Sequence, residues 1–226
     1  SAGAQRNNAV YNFQDIIAVS SGMKLVKSEA RTAAASPANV LITGESGTGK
    51  ELFAQAIHNA SPRFAGPFVP ISCGGFSRET VDSILIGTEK NPGKFIQADG
   101  GTLFLDGISE MSQDMQSFLL RFLEDGIVTP IGSRRSVQTD VRVISAAGSE
   151  VLQKVKDGSF RLDLYYRLNV LRIDLPPLRE RQADMQELSN YFVTLLSAGY
   201  GKNIFSVSAE TVERFNHFAS AGEDVD

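Results

Sequence analysis

The sequence predicts an α/β fold: a mostly parallel five-stranded sheet sandwiched by helices, with a small helical subdomain after it. Three observations lead there. Apolar, strand-like runs alternate with helical periodicity from residue 40 to residue 175, the pattern of right-handed crossovers. One of those runs, Val40-Leu41-Ile42-Thr43, feeds directly into a glycine-rich loop and then a helix. Beyond Pro177 the strand signals stop and helical periodicity continues alone. The expected division is residues 1–176 for the α/β core and 177–226 for the helical part.

Taken in order, residues 1–6 precede no apolar stretch and read as a linker end rather than a signal peptide. Met23, Val26, Ala30 and Ala33 recur at helical spacing, and Ser36-Pro37 stops that helix. The loop after the first strand is Gly44-Glu45-Ser46-Gly47-Thr48-Gly49-Lys50-Glu51. This is GxxxxGK between strand and helix, the setting in which it cradles phosphates. Glycines let backbone N–H groups curl round the β-phosphate, the next helix offers its positive end, and Lys50 reaches the β/γ oxygens. A glycine-rich turn before a chance lysine is the other reading, and the flanks favour the cradle. Glu51 stands where a Ser or Thr hydroxyl would bind Mg²⁺.

Residues 68–73 form a second strand, with Pro70 suiting an edge. Residues 78–86 could be one short helix, and 87–94 a tight loop. Residues 100–106 form a third, continuously apolar strand ending in Asp106, the Walker B pattern, in which the Asp orients Mg²⁺ through water. An Asp capping the next helix is the plainer alternative. Residues 111–124 are amphipathic, with Met115, Leu119, Phe122 and Leu123 on one face. A hairpin over 127–139 carries Arg134 and Arg135 at its tip. Residues 141–146 give a fourth strand, 151–155 open a helix, and 169–175 give a fifth strand. Helical periodicity returns over 184–196 and 208–218.

The bulk properties narrow the partners. The chain has 226 residues, enough for one large or two small domains at roughly 100–200 residues each. Its formal net charge of −4 supplies no basic field for a nucleic-acid backbone, so strong DNA binding by this piece is not expected. Cys73 is the only cysteine, which excludes an internal disulfide and fits a reducing cytoplasm. No run of about 18 apolar residues exists to span a membrane.

Several strings resemble one family. Residues 44–51 (GESGTGKE), 57–63 (IHNASPR), 100–106 (GGTLFLD), 160–170 (FRLDLYYRLNV) and 175–181 (LPPLRER) are similar to the AAA+ domain of bacterial enhancer-binding proteins, the sigma-54-dependent transcription activators. The likeness runs from residue 13 to residue 218. It implies an AAA+ P-loop core with a helical lid, binding ATP or ADP with Mg²⁺ through residues 44–51 and Asp106. Glu51 is how this family spells the loop. Arg161 and Arg167 match the paired arginines offered across a subunit interface to a neighbour's γ-phosphate, a surface salt bridge such as one to Asp163 being the alternative. His58 matches a position at the end of the loop helix, with a packing or capping role.

The same resemblance exposes departures. The family's GAFTGA loop, which touches the sigma factor, belongs between residues 90 and 95, where only Asn91-Pro92-Gly93-Lys94 stands. Walker B ends Asp-Glu in the family, and here it is Asp106-Gly107. Ser72 and Ala146-Ala147-Gly148 replace strand-end asparagines that hold that Glu and report on the γ-phosphate. Losing a general base costs on the order of 10²–10⁴ in rate. Glu110, three residues on, lies too far along the chain to be expected as a substitute. The lid's Trp-Pro-Gly-Asn motif is missing from residues 217–222.

The expectation is a nucleotide-binding regulatory domain of a bacterial transcription regulator. It would hydrolyse ATP weakly or not at all, self-associate, and act with RNA polymerase holoenzyme by a route other than sigma-54. DNA would be read by a domain outside this chain. The signal could be ATP, a cyclic dinucleotide or a protein effector. A working ATPase motor and a purely structural module with a relic loop are the rivals.

Overall fold

The computed structural model describes residues 8–74, 81–199, 204 and 206–214. Its centre is the sheet anticipated from the alternation of strands and helices. Strands β1 (Val40–Thr43), β2 (Phe68–Ser72), β3 (Thr102–Asp106), β6 (Arg142–Ala147) and β7 (Leu171–Asp174) lie in the order β2-β3-β6-β1-β7. Every pairing in it is parallel. A separate antiparallel pair, β4 (Ile127–Val128) and β5 (Val137–Gln138), is the expected hairpin, with Arg134 and Arg135 exposed at its tip. Pro70 does sit on an edge strand, where its missing N–H costs no ladder bond.

The inner strands β1, β3 and β6 bury both faces because each side of the sheet is roofed by helices. Leu41, Leu103, Leu105 and Val143 face one cluster, which includes Met115, Leu119 and Phe122 of α4 (Gln113–Asp125) and Leu164 of α6 (Leu162–Leu168). Val40, Ile42, Phe104 and Ile144 face the other, with α1 (Ser21–Ala35) and α2 (Lys50–Asn59). α1 begins at the Ser20 cap and buries Met23, Val26, Ala30 and Ala33, the stripe its spacing implied. α4 ends on Gly126, whose φ of 67° is left-handed and whose N–H bonds Phe122 O at 2.8 Å.

Three segments differ in detail from the sequence expectation. Of residues 78–86, residues 81–86 form one π-helical turn, and 75–80 lie outside the described residues. Residues 162–168, noted above only as a family string, are a helix. The last expected helix appears over 209–214, and the rest of it, with 217–222, lies outside the described residues. The tight loop is present. Thr88 N donates to Asn91 O at 2.9 Å, Gly87 pairs with Pro92, and a Cβ on Gly87 would overlap the Gly93 backbone. After it come α3 (Lys94–Gln97) and, past β6, α5 (Val151–Lys156) and the long α7 (Gln182–Gly199). Among the described residues no helix is long and apolar enough to cross a membrane.

Candidate functional site

Residues 44–51 leave the carboxyl end of β1 and turn into α2. Gly44 N donates to Ala147 O at 3.2 Å, which fixes the root of the loop beside β6. A Cβ on Gly44 would stand 2.8 Å from Thr48 Oγ1 and 3.0 Å from Leu175 O, so the close packing here admits only glycine. Gly47 and Gly49 carry φ of 75° and 96°, turning the chain before the helix. Thr48 Oγ1 donates to Glu45 O at 2.8 Å. Lys50 Nζ donates to Gly44 O at 2.8 Å and Glu45 O at 2.7 Å, so its ammonium lies over the loop. Burial lowers the Lys50 pKa, and the charges of Asp106 and Glu150 oppose that.

Beside the loop opens a cavity of about 960 Å³, walled by Tyr11, Ile16, Leu52, Met185, Leu188 and Phe192 among others. That is at the upper end of the range usual for small-molecule sites, roughly 300–1,000 Å³. Its walls come from three parts of the chain, and sequence reasoning found only the loop. The N-terminal strap is held by Gln55, whose Oε1 accepts from Val10 N at 2.9 Å and whose Nε2 donates to Glu51 Oε1 at 3.1 Å. Glu51 therefore points along α2. The far wall, α7, is tied by the buried Asp184 carboxylate, which accepts from Val19 N at 2.5 Å, Ser20 N at 2.7 Å and Ser20 Oγ at 2.9 Å. Arg179 forks onto Glu45 at 2.7 and 2.8 Å, and buried Arg181 donates to Thr48 O at 3.3 Å.

Opposite the lysine stand the tips of β3 and β6. Asp106 is exposed there, in register with Ser72, while Glu51 is engaged by Gln55. No group of three or more His, Cys, Asp or Glu suited to a metal occurs among the described residues. Gly107 has φ 69° and starts a 3-10 turn over 108–110 that folds Glu110 back. The Glu110 carboxylate would overlap a Cβ on Gly74, and its Oε1 lies 3.9 Å from where a Cβ on Gly107 would be. It is thus much nearer than its place in the sequence suggested. Glu150 does the same at β6, its carboxylate lying where a Cβ on Gly148 would go. Cys73 is buried, and burial together with Asp106 and Glu110 pushes its thiol far up, so it is inert.

Arg161 and Arg167 lie outside this cavity. Arg161 forks onto Asp163, with NH2 2.8 Å from Oδ2, and Arg167 pairs with Glu124 at 2.9 Å. His58 is fully buried, bonded through Nδ1 to Thr102 Oγ1 at 2.8 Å and packed on Phe68, which is the packing role expected of it. Burial lowers its pKa to about 4.

A parallel sheet in which an inner strand, β1, opens into a glycine-rich loop and a helix defines a P-loop nucleoside-triphosphatase fold. The P-loop NTPase domain of a sigma-54 transport activator from E. coli shares that fold, at 17% identity and a TM-score of 0.51 over 72% of this chain. The chain belongs to the sigma-54 interaction domain family, which matches residues 16–174. It is 43% identical over 224 residues to a signal-transduction and transcriptional-control protein of Clostridium beijerinckii, covering 95% of this chain and 35% of that protein. It is 49% identical over 183 residues to the transcriptional regulatory protein TyrR of Citrobacter braakii, covering 80% of this chain and 36% of TyrR. The regulatory protein LuxO of Vibrio cholerae is 40% identical over 225 residues, covering 96% of this chain and 50% of LuxO. The chain thus spans between a third and a half of these relatives. NtrX from Brucella abortus, crystallised with ADP, superposes with a TM-score of 0.85 at 30% identity over 89% of this chain and 47% of NtrX. The ATP complex of NtrX gives a TM-score of 0.83.

Proposed function

We propose that this chain is the central AAA+ domain of a bacterial transcription regulator, one that holds ATP or ADP with little or no hydrolysis. The observation that supports this is an asymmetry within one site. Residues 44–50 form a packed cradle around a lysine, whereas the strand tips facing it present Ser72, Gly107 and Gly148. Serine and glycine themselves supply neither a general base nor an amide to hold a water against the γ-phosphate, so any base would have to come from Glu110 or Glu150, the carboxylates folded over those glycines. Phosphates would lie on the loop and the positive end of α2, and the base would enter the cavity between strap and α7. Mg²⁺ would be held through water by Asp106, an exposed carboxylate whose charge reaches Lys50. The ion would offset charge on the phosphate oxygens.

On this reading residues 1–176 are the nucleotide-binding core and 177–226 part of the lid, with α7 reporting occupancy through Arg179, Arg181 and Asp184. Arg161 and Arg167 would exchange Asp163 and Glu124 for a neighbour's phosphate when subunits associate. RNA polymerase holoenzyme would be reached without the usual sigma-54 loop, since the turn over 87–93 closes on itself. DNA would be bound outside this chain, in the cytoplasm.

Calorimetric titration with ATP, ADP and cyclic dinucleotides, paired with phosphate release, tests the proposal. Binding of ATP or ADP, lost in Lys50→Ala, is expected with release near background. Turnover that rises with protein concentration would establish the motor instead. Indifference to ATP and ADP would leave either a structural module or, if a cyclic dinucleotide binds, a receptor for that signal.

A further inference from the structure

We propose that Glu150, folded over Gly148 at the tip of β6, is a specificity-determining residue that makes this site favour nucleoside diphosphates over triphosphates. The inference rests on the reading of residues 44–50 as the phosphate cradle. Gly148 follows Ala147, whose carbonyl accepts from Gly44 N at 3.2 Å, so the tip of β6 adjoins the root of the loop. The lysine of such a loop serves the β- and γ-phosphates. Here the Glu150 carboxylate occupies the place a side chain at 148 would take. Asp106 is the other carboxylate whose charge reaches Lys50.

Glu150 stays ionised near neutrality. Burial pushes its carboxyl up, but the approach of the Ser109 hydroxyl, the backbone N–H groups of Glu150 and Gly148, and the Lys154 charge outweigh that and leave it below its usual value. Lys154 itself is spent on Ser109 O at 2.7 Å, stitching α5 to the turn after β3. A third phosphate adds negative charge on the side where Lys50 already faces Asp106 and Glu150. A diphosphate ends short of that wall. For a separation on the order of 5 Å, taken as an illustration, and the effective dielectric of a protein surface, one extra unit charge against one carboxylate amounts to more than a tenfold bias before screening, and about tenfold after it.

Titration of the chain with ADP and with ATP, each with and without Mg²⁺, reads the ratio of the two dissociation constants. About tenfold tighter binding of ADP is expected for the unmodified chain. Glu150→Gln removes the charge, and Gly148→Ala displaces the carboxylate. Each should bring the ratio to within about threefold of unity. Equal affinities, or tighter ATP binding, in the unmodified chain would overturn the proposal, as would a ratio unmoved in both variants. If the chain binds neither nucleotide, the cradle reading falls and this inference with it. Binding of both with no bias sinks the inference alone.

Discussion

The two ends of the same sheet carry polar groups under opposite rules. At the amino end of β6, the Arg142 charge is buried and engaged on backbone carbonyls. Arg142, 2% exposed, donates to Ala33 O at 2.7 Å, Ala34 O at 3.2 Å and Ala38 O at 3.1 Å, closing the last turn of α1. Thr102 and His58 pair beside it. At the carboxyl ends, the charged groups near the loop are exposed or half-buried: Lys50, Asp106, Glu110 and Glu150, the last two folded over glycines. A buried donor cannot be removed without stranding its acceptors, whereas an exposed one falls back on water. The first end can change only at the cost of the fold. The second could lose side chains and keep the fold, which fits the proposed phosphate site, whose strand tips read Ser72, Gly107 and Gly148.

Substitutions sharpen or break that contrast. The largest stability effect is expected at Arg142. Arg142→Met should cost about 3 kcal/mol or more by leaving helix carbonyls unpaired, lowering the melting temperature by roughly 6–12 °C. A melting curve unchanged by it would erase the distinction between the two ends. Lys50→Ala should do the reverse, weakening nucleotide binding by about 100-fold, roughly 2.7 kcal/mol, while the melt without nucleotide moves by a few degrees at most.

Acid tests the amino end without a gross change of structure. The His58 pKa is about 4 folded against 6.5 unfolded, so the neutral ring's contribution is complete above pH 6.5 and is lost as pH falls toward 4. Denaturant melts should show stability dropping by about 2–3 kcal/mol over that window, and His58→Gln should flatten the drop. An identical acid profile in the variant would assign the loss to other groups. The smallest effect is at Gly107. Gly107→Glu should cost about 1–2 kcal/mol because φ is left-handed there, and it should restore little phosphate release. Ser72 and Gly148 still leave water unplaced, so a large recovery would show that those two positions are dispensable.

Much of this was legible in the chain, for reasons that differ by residue. Loop residues 44–50 were found because glycine spacing before a lysine is a local constraint that backbone sterics impose. Pro70 announced an edge because a missing N–H is a property of one residue. The apolar stripes of α1 and α4 follow from 3.6-residue periodicity. Nothing local marked Asp184 as the tie between α7 and the α1 cap, 164 residues from Ser20. Glu110 was weighed and set aside, and Glu150 escaped, because proximity to a glycine matters only after the turn geometry is set. Asp106 was identified, but which further carboxylates share its surroundings was not.

By itself the sequence determined the elements, the phosphate-type loop and the family, since each is written in spacings within a dozen or so residues. Tertiary structure alone decided the strand order β2-β3-β6-β1-β7, the cavity between strap and α7, and the carboxylates folded over Gly74, Gly107 and Gly148. The reason is physical. Backbone propensity and periodicity act between near neighbours, while charge, packing and cavity shape depend on which distant segments the folded core brings into contact.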